Sequence, residues 1–153
     1  MSAFAQLLFF AVTVSAMIIS AWASKEPVAQ KLALLLLAVW ALSNVALAAV
    51  GYEREPVLVP TLDGVIAATV AYVGFVNRSR LALIIFALFG LLGCVHLAAF
   101  VTHRTESFYY YAAKNAIFLT QVFIVGGFGA WVAIRTGLRP RSQRLGAHSL
   151  GRP

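Results

Sequence analysis

Hydrophobic residues run along this chain in five long stretches, which are separated by short polar connections. Polar and apolar positions do not alternate within a stretch, so none has the pattern of a membrane-barrel strand. About 20 residues in a helix that rises about 1.5 Å per residue cross a hydrocarbon core about 30 Å thick. Backbone amides in lipid must find partners within the segment, which favours helices. The pattern predicts membrane-spanning helices over residues 4–23, 32–50, 57–76, 81–101 and 108–134.

Composition agrees with this pattern, because 61% of the residues are hydrophobic and 11% are charged. A soluble domain has about a quarter of its residues charged, so lipid must solvate most of this chain. We predict an all-α, polytopic integral membrane helical bundle with five transmembrane helices over 1–134. The remaining residues, 135–153, form a basic tail whose glycines and prolines argue against a long helix, and we expect this tail to be mobile.

Basic residues are distributed unevenly between the connections. Two of them, Arg54 and Arg104, fall in the second and fourth connections, whereas nine fall in the first and third connections and the tail. The positive-inside rule then places the N-terminus outside and the C-terminus in the cytoplasm. The Ala-rich chain with more Arg than Lys favours a bacterial inner membrane. The nine basic residues of the first connection, the third connection and the tail are Lys25, Lys31, Arg78, Arg80, Arg135, Arg139, Arg141, Arg144 and Arg152.

The first apolar stretch has a second interpretation. Its end, 21–23, has the small-x-small pattern of a signal-peptidase site. The stretch before it is long and has no preceding Lys or Arg, unlike a secretory signal. We therefore expect it to be retained as a span.

Polar residues inside the predicted spans fall at matching depths. With the orientation above, Asn44, Asp63, His96 and Lys114 all lie roughly 8 to 10 Å below the outer boundary. Asn115 adjoins this layer, and the face of the last helix that carries Lys114 continues to Gln121, seven residues on. Ionisable groups facing lipid at this depth are costly, so they turn inward and pair. We predict that Asp63 and Lys114 interact, with His96 and Asn44 near the same pocket.

Each of these residues also has a structural explanation. Asp63 would lie in the first turn if its helix began at Pro60, where a carboxylate complements the helix dipole. Lys114 could extend past the neighbouring tyrosines to outer water. His96 could be a hydrogen-bonded packing residue, and Asn44 could bond a neighbouring helix.

Small residues recur at spacings that allow helices to approach closely. They include Gly64 with Ala68, Gly90 with Gly93, and a glycine-rich run at 126–130. Such residues favour close packing between membrane helices. We expect the last three spans to form the tightest part of the bundle.

Charge and motifs limit the partners that we expect. The net charge of +7 comes from dispersed residues, which favours anionic lipid headgroups over nucleic acid. Each juxtamembrane Arg adds about 1 kcal/mol of attraction to such headgroups, and a partner protein for the tail is an alternative. Cys94 is a lone cysteine, and no nucleotide, metal or hydrolase motif is present, so we predict no cofactor or metal. The residues that we expect to contact lipid headgroups or a partner protein are Arg135, Arg139, Arg141 and Arg144.

Three classes of function fit these features. The first is a non-catalytic accessory or assembly protein that acts through helix packing, as a homo-oligomer or with a membrane-protein partner, and through its basic tail. The second is a conduit, either a small transporter or an oligomeric pore such as a phage holin, in which the polar layer faces water. The third is a membrane enzyme that uses His96 or His103 as a base with Asp63. We expect the first. The conduit is the alternative, because five spans are more than we expect of a holin, and enzymes of lipid or quinone chemistry usually carry denser polar clusters.

Overall fold

A computed structural model describes residues 3–51, 55–105 and 107–137, with side chains described from residue 8 onward apart from residue 56. The described residues form five helices, which confirms the all-α prediction. Helix α2 begins at Pro27 instead of the predicted residue 32, because a proline at a first helical position extends the helix through polar Gln30 and Lys31. The helices are α1 (Ala3–Ser24), α2 (Pro27–Val50), α3 (Glu55–Asn77), α4 (Arg80–Val101) and α5 (Phe108–Gly137).

Helices α2 to α5 are each long and apolar enough to cross a membrane. In α1, the part with described side chains, Leu8–Ser24, is a shorter apolar helix. Large hydrophobic side chains such as Phe75, Leu97 and Phe123 are exposed on the outside of the bundle. An exterior of this kind needs an apolar solvent, so the chain has the build of an integral membrane protein.

Two tight turns reverse the chain between α1 and α2 and between α3 and α4. Lys25 and Arg78 adopt the left-handed conformation in these turns, with φ of 56° and 48°. The hydroxyl of Ser79 then accepts a hydrogen bond from the amide of Ala82 and caps α4. Both turns lie at the end of the bundle where α5 terminates, and we call this the basic end.

The last helix, α5, packs against the first helix, α1. The backbone at Gly126 lies against Met17, and that at Gly129 lies against Ser20, so the two helices run parallel. A Cβ at Gly129 would be 2.7 Å from the carbonyl oxygen of Ser20, so only glycine fits there. The expectation that the last three spans are the tightest part therefore needs correction, because the glycine run of α5 accommodates α1.

Helix α2 occupies the centre, where it contacts all four other helices. Its small and branched residues Leu32, Ala33 and Leu36 are fully buried. At the end opposite the basic end lie the start of α3, the end of α4 and the start of α5. We call this the tyrosine end, because α5 begins there with Tyr109, Tyr110 and Tyr111.

Helix α3 begins earlier than one structural explanation of Asp63 requires. The helix starts at Glu55, and Pro60 lies inside it. Asp63 therefore lies beyond the first two turns, where no free amides remain for it to complement. The helix-dipole explanation of Asp63 is wrong, and its carboxylate needs a partner from another helix.

Candidate functional site: a buried polar cluster

Asp63, His96 and Tyr110 form a hydrogen-bonded chain across three helices at the tyrosine end. Nε2 of His96 lies 2.9 Å from Oδ2 of Asp63, and Nδ1 lies 2.9 Å from the Tyr110 hydroxyl. The side chains of His96 and Asp63 are only 6% and 12% exposed. The chain therefore connects α3, α4 and α5 at one level, shielded from the surroundings.

The partners of His96 define the roles of its two ring nitrogens. An ionised carboxylate can only accept, so Nε2–H donates to Asp63. In the neutral ring, Nδ1 then accepts a hydrogen bond from the O–H of Tyr110. Both nitrogens are occupied by protein groups. The imidazole is thus held in one orientation, and neither nitrogen is open to a substrate or a metal.

A second pair lies beside the first and involves Glu55 and Lys114. Nζ of Lys114 donates to Oε1 of Glu55 at 2.5 Å, and the hydroxyl of Tyr111 donates to Oε2 at 3.2 Å. The Lys114 ammonium also lies 5.5 Å and 5.0 Å from the ring centroids of Tyr110 and Tyr111. Both carboxylate oxygens are satisfied, and the two rings cover the cation.

The predicted pairing of Asp63 with Lys114 differs from the observed one, in which Asp63 pairs with His96 and Lys114 pairs with Glu55. The side chain of Lys114 is 17% exposed, so it turns to Glu55 instead of extending into water. The two pairs together form what we call the polar cluster, which consists of Glu55, Asp63, His96, Tyr110, Tyr111 and Lys114.

Two of the predicted layer residues do not join this cluster. Asn44 is exposed, and its amide donates to the carbonyl of Trp40 on its own helix. Asn115 is half-buried, and no hydrogen bond to another described residue connects it to the cluster. Both residues lie outside the cluster, so the predicted depth alone was insufficient to place them.

Gln121 has a different environment. It is fully buried, and neither Oε1 nor Nε2 has a hydrogen-bond partner in the described part of the chain. It lies seven residues beyond Lys114 on α5, about 10 Å further toward the middle of the bundle. A buried amide of this kind normally has a partner, so the packing of the described residues leaves Gln121 unexplained.

The basic end displays the predicted cations that the structure describes. Lys25, Lys31, Arg78 and Arg80 are exposed there. Arg135 is also exposed and lies 5.2 Å from the ring centroid of Trp131, in a cation–π contact. The remaining predicted headgroup contacts, Arg139, Arg141 and Arg144, lie outside the described residues.

Sequence reasoning missed three members of the cluster. Glu55 falls in the connection before the predicted span 57–76, and Tyr110 and Tyr111 fall at the start of the last predicted span, where aromatic residues commonly line the membrane interface. One signal could have identified Glu55: it precedes Asp63 by eight residues, which places both carboxylates within about 80° of each other on one helix. An acid on that side of α3 is the expected partner for a lysine at a similar depth.

The ionisable side chains of the polar cluster are therefore paired with one another, and the cluster resembles an open reaction centre less closely. His103, the other candidate base, is exposed in the turn after α4, whereas the described partner of Asp63 is His96. Among the residues that the structure describes, no three His, Cys, Asp or Glu side chains converge as a metal site would require. Comparison of the chain with protein families, with curated proteins and with solved structures found no match.

Proposed function

We propose that this chain is a small multi-pass membrane protein with a non-catalytic accessory or assembly role. It acts through helix packing with a membrane-protein partner or another copy, and through its basic end. The observation that carries the proposal is the pairing in the polar cluster, in which each ionisable side chain is bonded to a neighbour within the bundle. Such pairs fix the positions of α3, α4 and α5 relative to one another. The outer surface of the bundle is then the part that we propose binds a partner.

Open glycines on the outer helices support a partner surface. A Cβ added at Gly64 on α3, or at Gly90 or Gly93 on α4, would meet nothing within 4 Å. These glycines differ from Gly126 and Gly129 of α5, which accommodate α1, because no described helix of this bundle packs against them. Small residues of this kind let a further membrane helix approach closely, which is the use that we propose for them.

The charge distribution supports an orientation for the proposed protein. The exposed cations of the basic end favour the cytoplasmic side, with the N-terminus outside, the C-terminus inside and α1 as a fifth span. We propose a bacterial inner membrane and anionic lipid headgroups as contacts of Arg135 and of the following tail, including Arg139, Arg141 and Arg144.

Affinity purification tests this assembly role. The tagged chain is purified in mild detergent, and the copurifying membrane proteins are identified. We expect one stoichiometric partner, or a stable oligomer, that is lost from the Gly90→Leu variant. Gly127→Leu is the matched control, because Gly127 is an equally open glycine on α5. A monomer without a partner, or equal binding by both variants, would contradict the proposal.

A conduit is the second candidate, and Gln121 favours it. A fully buried amide without a described partner is a position where water is commonly bound inside proteins. Together with Lys114 above it, Gln121 could continue a hydrated path along α5. The enclosed pairs at the tyrosine end argue against this path, since they would have to open for a solute to enter.

Reconstitution separates the two candidates. Proteoliposomes containing the chain are loaded with a proton-sensitive or potassium-sensitive dye, and flux is measured for the wild type and for Gln121→Leu. A conduit predicts flux in the wild type that Gln121→Leu abolishes. The accessory role predicts no flux above that of protein-free vesicles in either case.

A further inference from the structure

A cavity of about 250 Å³ opens at the tyrosine end, between the last turns of α4 and the first turn of α5. Its walls on the α4 side are the apolar residues Val95, Ala98 and Ala99. Its other lining residues are polar or aromatic and come from the turn and from α5: Thr102, Arg104, Ser107, Tyr109 and Tyr110. The cavity thus has an apolar wall along α4 and a polar rim near the helix ends.

The rim offers hydrogen-bond donors and a positive charge. Arg104 is exposed and forms no ion pair with a described carboxylate. The hydroxyl of Ser107 accepts from the amide of Tyr110, which leaves its own hydrogen free to donate. The hydroxyl of Thr102 already donates a hydrogen bond to the carbonyl of Ala98. The available donors, Arg104 and Ser107, suit an anionic oxygen-rich group such as a phosphodiester.

The surroundings of the rim match the boundary between lipid tails and headgroups. Phe108 and Tyr109 are 78% and 80% exposed next to the cavity, and exposed aromatics concentrate at this boundary in membrane proteins. The apolar wall extends from the rim along α4 in the direction that an acyl chain would follow. An inorganic anion would use the rim alone, whereas a lipid would use both parts.

We propose that this cavity binds one anionic phospholipid, with its phosphodiester at Arg104 and Ser107 and an acyl chain against Val95 and Ala98. The site is separate from the basic end and adjoins the polar cluster through Tyr110. Tyr110 lines the cavity and hydrogen-bonds His96, so an occupying lipid would lie directly against the chain that connects α3, α4 and α5.

Photocrosslinking tests this site. Phosphatidylglycerol and phosphatidylcholine, each with a diazirine in one acyl chain, are added to the full chain in neutral-lipid vesicles. Cross-linked peptides are then quantified after irradiation. We expect phosphatidylglycerol to label residues 95–110 more strongly than phosphatidylcholine. Arg104→Gln should lower this preference about fivefold, and Ala98→Leu should lower labelling by both lipids.

Matched controls lie on the same helix. Arg80→Gln removes an exposed cation at the other end of α4, and Ala87→Leu enlarges another exposed alanine. Both should leave labelling of residues 95–110 unchanged. Glu106 lies outside the described residues but close to Arg104 in sequence, so the measurement is repeated in a Glu106→Gln background, where the loss on Arg104→Gln should persist.

Several results would overturn the proposal. These are equal labelling by both lipids, an Arg104→Gln effect no larger than that of Arg80→Gln, and labelling that Ala98→Leu does not reduce. Excess inorganic phosphate should not displace the lipid. Displacement by phosphate would show that the rim recognises the anion alone and would also overturn the assignment.

Discussion

At the scale of single residues, the ionisable groups of this bundle are stabilised by pairing. A charge inside a membrane costs at least about 2.5 kcal/mol when it has no partner. Glu55 and Lys114 offset this cost with an ion pair whose carboxylate also accepts from Tyr111, while Asp63 accepts from His96. Removing one partner of such a pair leaves the other buried and unsatisfied. Each pair is therefore stable only when its helices hold both side chains within contact distance.

Gln121 gives a prediction at the same scale. If its amide is buried in a dry interior, Gln121→Leu removes an unsatisfied polar group and fills the site with a side chain of similar volume. We expect the free energy of unfolding to rise by about 1 to 3 kcal/mol, measured by steric trapping in bicelles. Gln121→Glu is the control and should lower it, because it would bury a charge. A loss of stability in Gln121→Leu would instead show that the amide holds a bound water.

The sequence predicted that these residues lie near one another along the bundle but did not predict their partners. Counting from the ends of the spans placed Asp63, His96 and Lys114 near one level, and the structure brings all three into the cluster. Partner choice also depends on the rotation of each helix about its axis. Rotation is poorly encoded here, because the lipid-facing and core-facing sides of a membrane helix are both apolar. Asn44, which faces outward, shows the result of this ambiguity.

At the scale of helices, the contact between α1 and α5 depends on two glycines. The absent side chain at Gly129 lets the carbonyl of Ser20 approach, and Gly126 does the same for Met17. The sequence showed that the glycine run would pack closely but not against which helix. The spacing of small residues is the same whether the partner is a neighbour in sequence or the first helix of the chain.

Gly129→Ala tests this contact. The added methyl group would meet the backbone of Ser20, which cannot move without displacing α1. We expect the free energy of unfolding to fall by about 1 to 3 kcal/mol, measured by the same steric-trap method. Gly127→Ala is the control two residues away, where a Cβ would meet nothing within 4 Å. Its effect should be neutral or stabilising by up to about 1 kcal/mol, and equal losses in both variants would contradict the packing.

At the scale of the whole molecule, the two ends of the bundle differ in character. Most exposed cations of the described residues lie at the basic end, whereas the tyrosine end holds the polar cluster and the cavity of about 250 Å³. The five apolar stretches predicted the five described helices, because a helix that can cross a bilayer needs about 20 apolar residues. The polar cluster that connects α3, α4 and α5 could be identified only from the three-dimensional structure, since its members come from three helices.

Cysteine labelling tests the orientation of the bundle. Thr105→Cys introduces a labelling site in the turn before α5, and Thr136→Cys introduces one in its last turn, both in a Cys94→Ser background. In intact cells, we expect a membrane-impermeant maleimide to label position 105 and to reach position 136 only after the membrane is permeabilised. Labelling of both positions from the same side would show that α5 does not span. The reverse pattern would invert the proposed orientation.

Double-mutant cycles within the polar cluster test the central claim most directly. Unfolding free energies are measured for Glu55→Gln, Asp63→Asn, His96→Gln and Lys114→Met, singly and in pairs. The account predicts coupling energies of about 1 to 3 kcal/mol for the pairs Glu55 with Lys114 and Asp63 with His96. It also predicts additivity within about 0.5 kcal/mol for Asp63 with Lys114. Strong coupling of Asp63 to Lys114, with additive effects in the other two pairs, would contradict it.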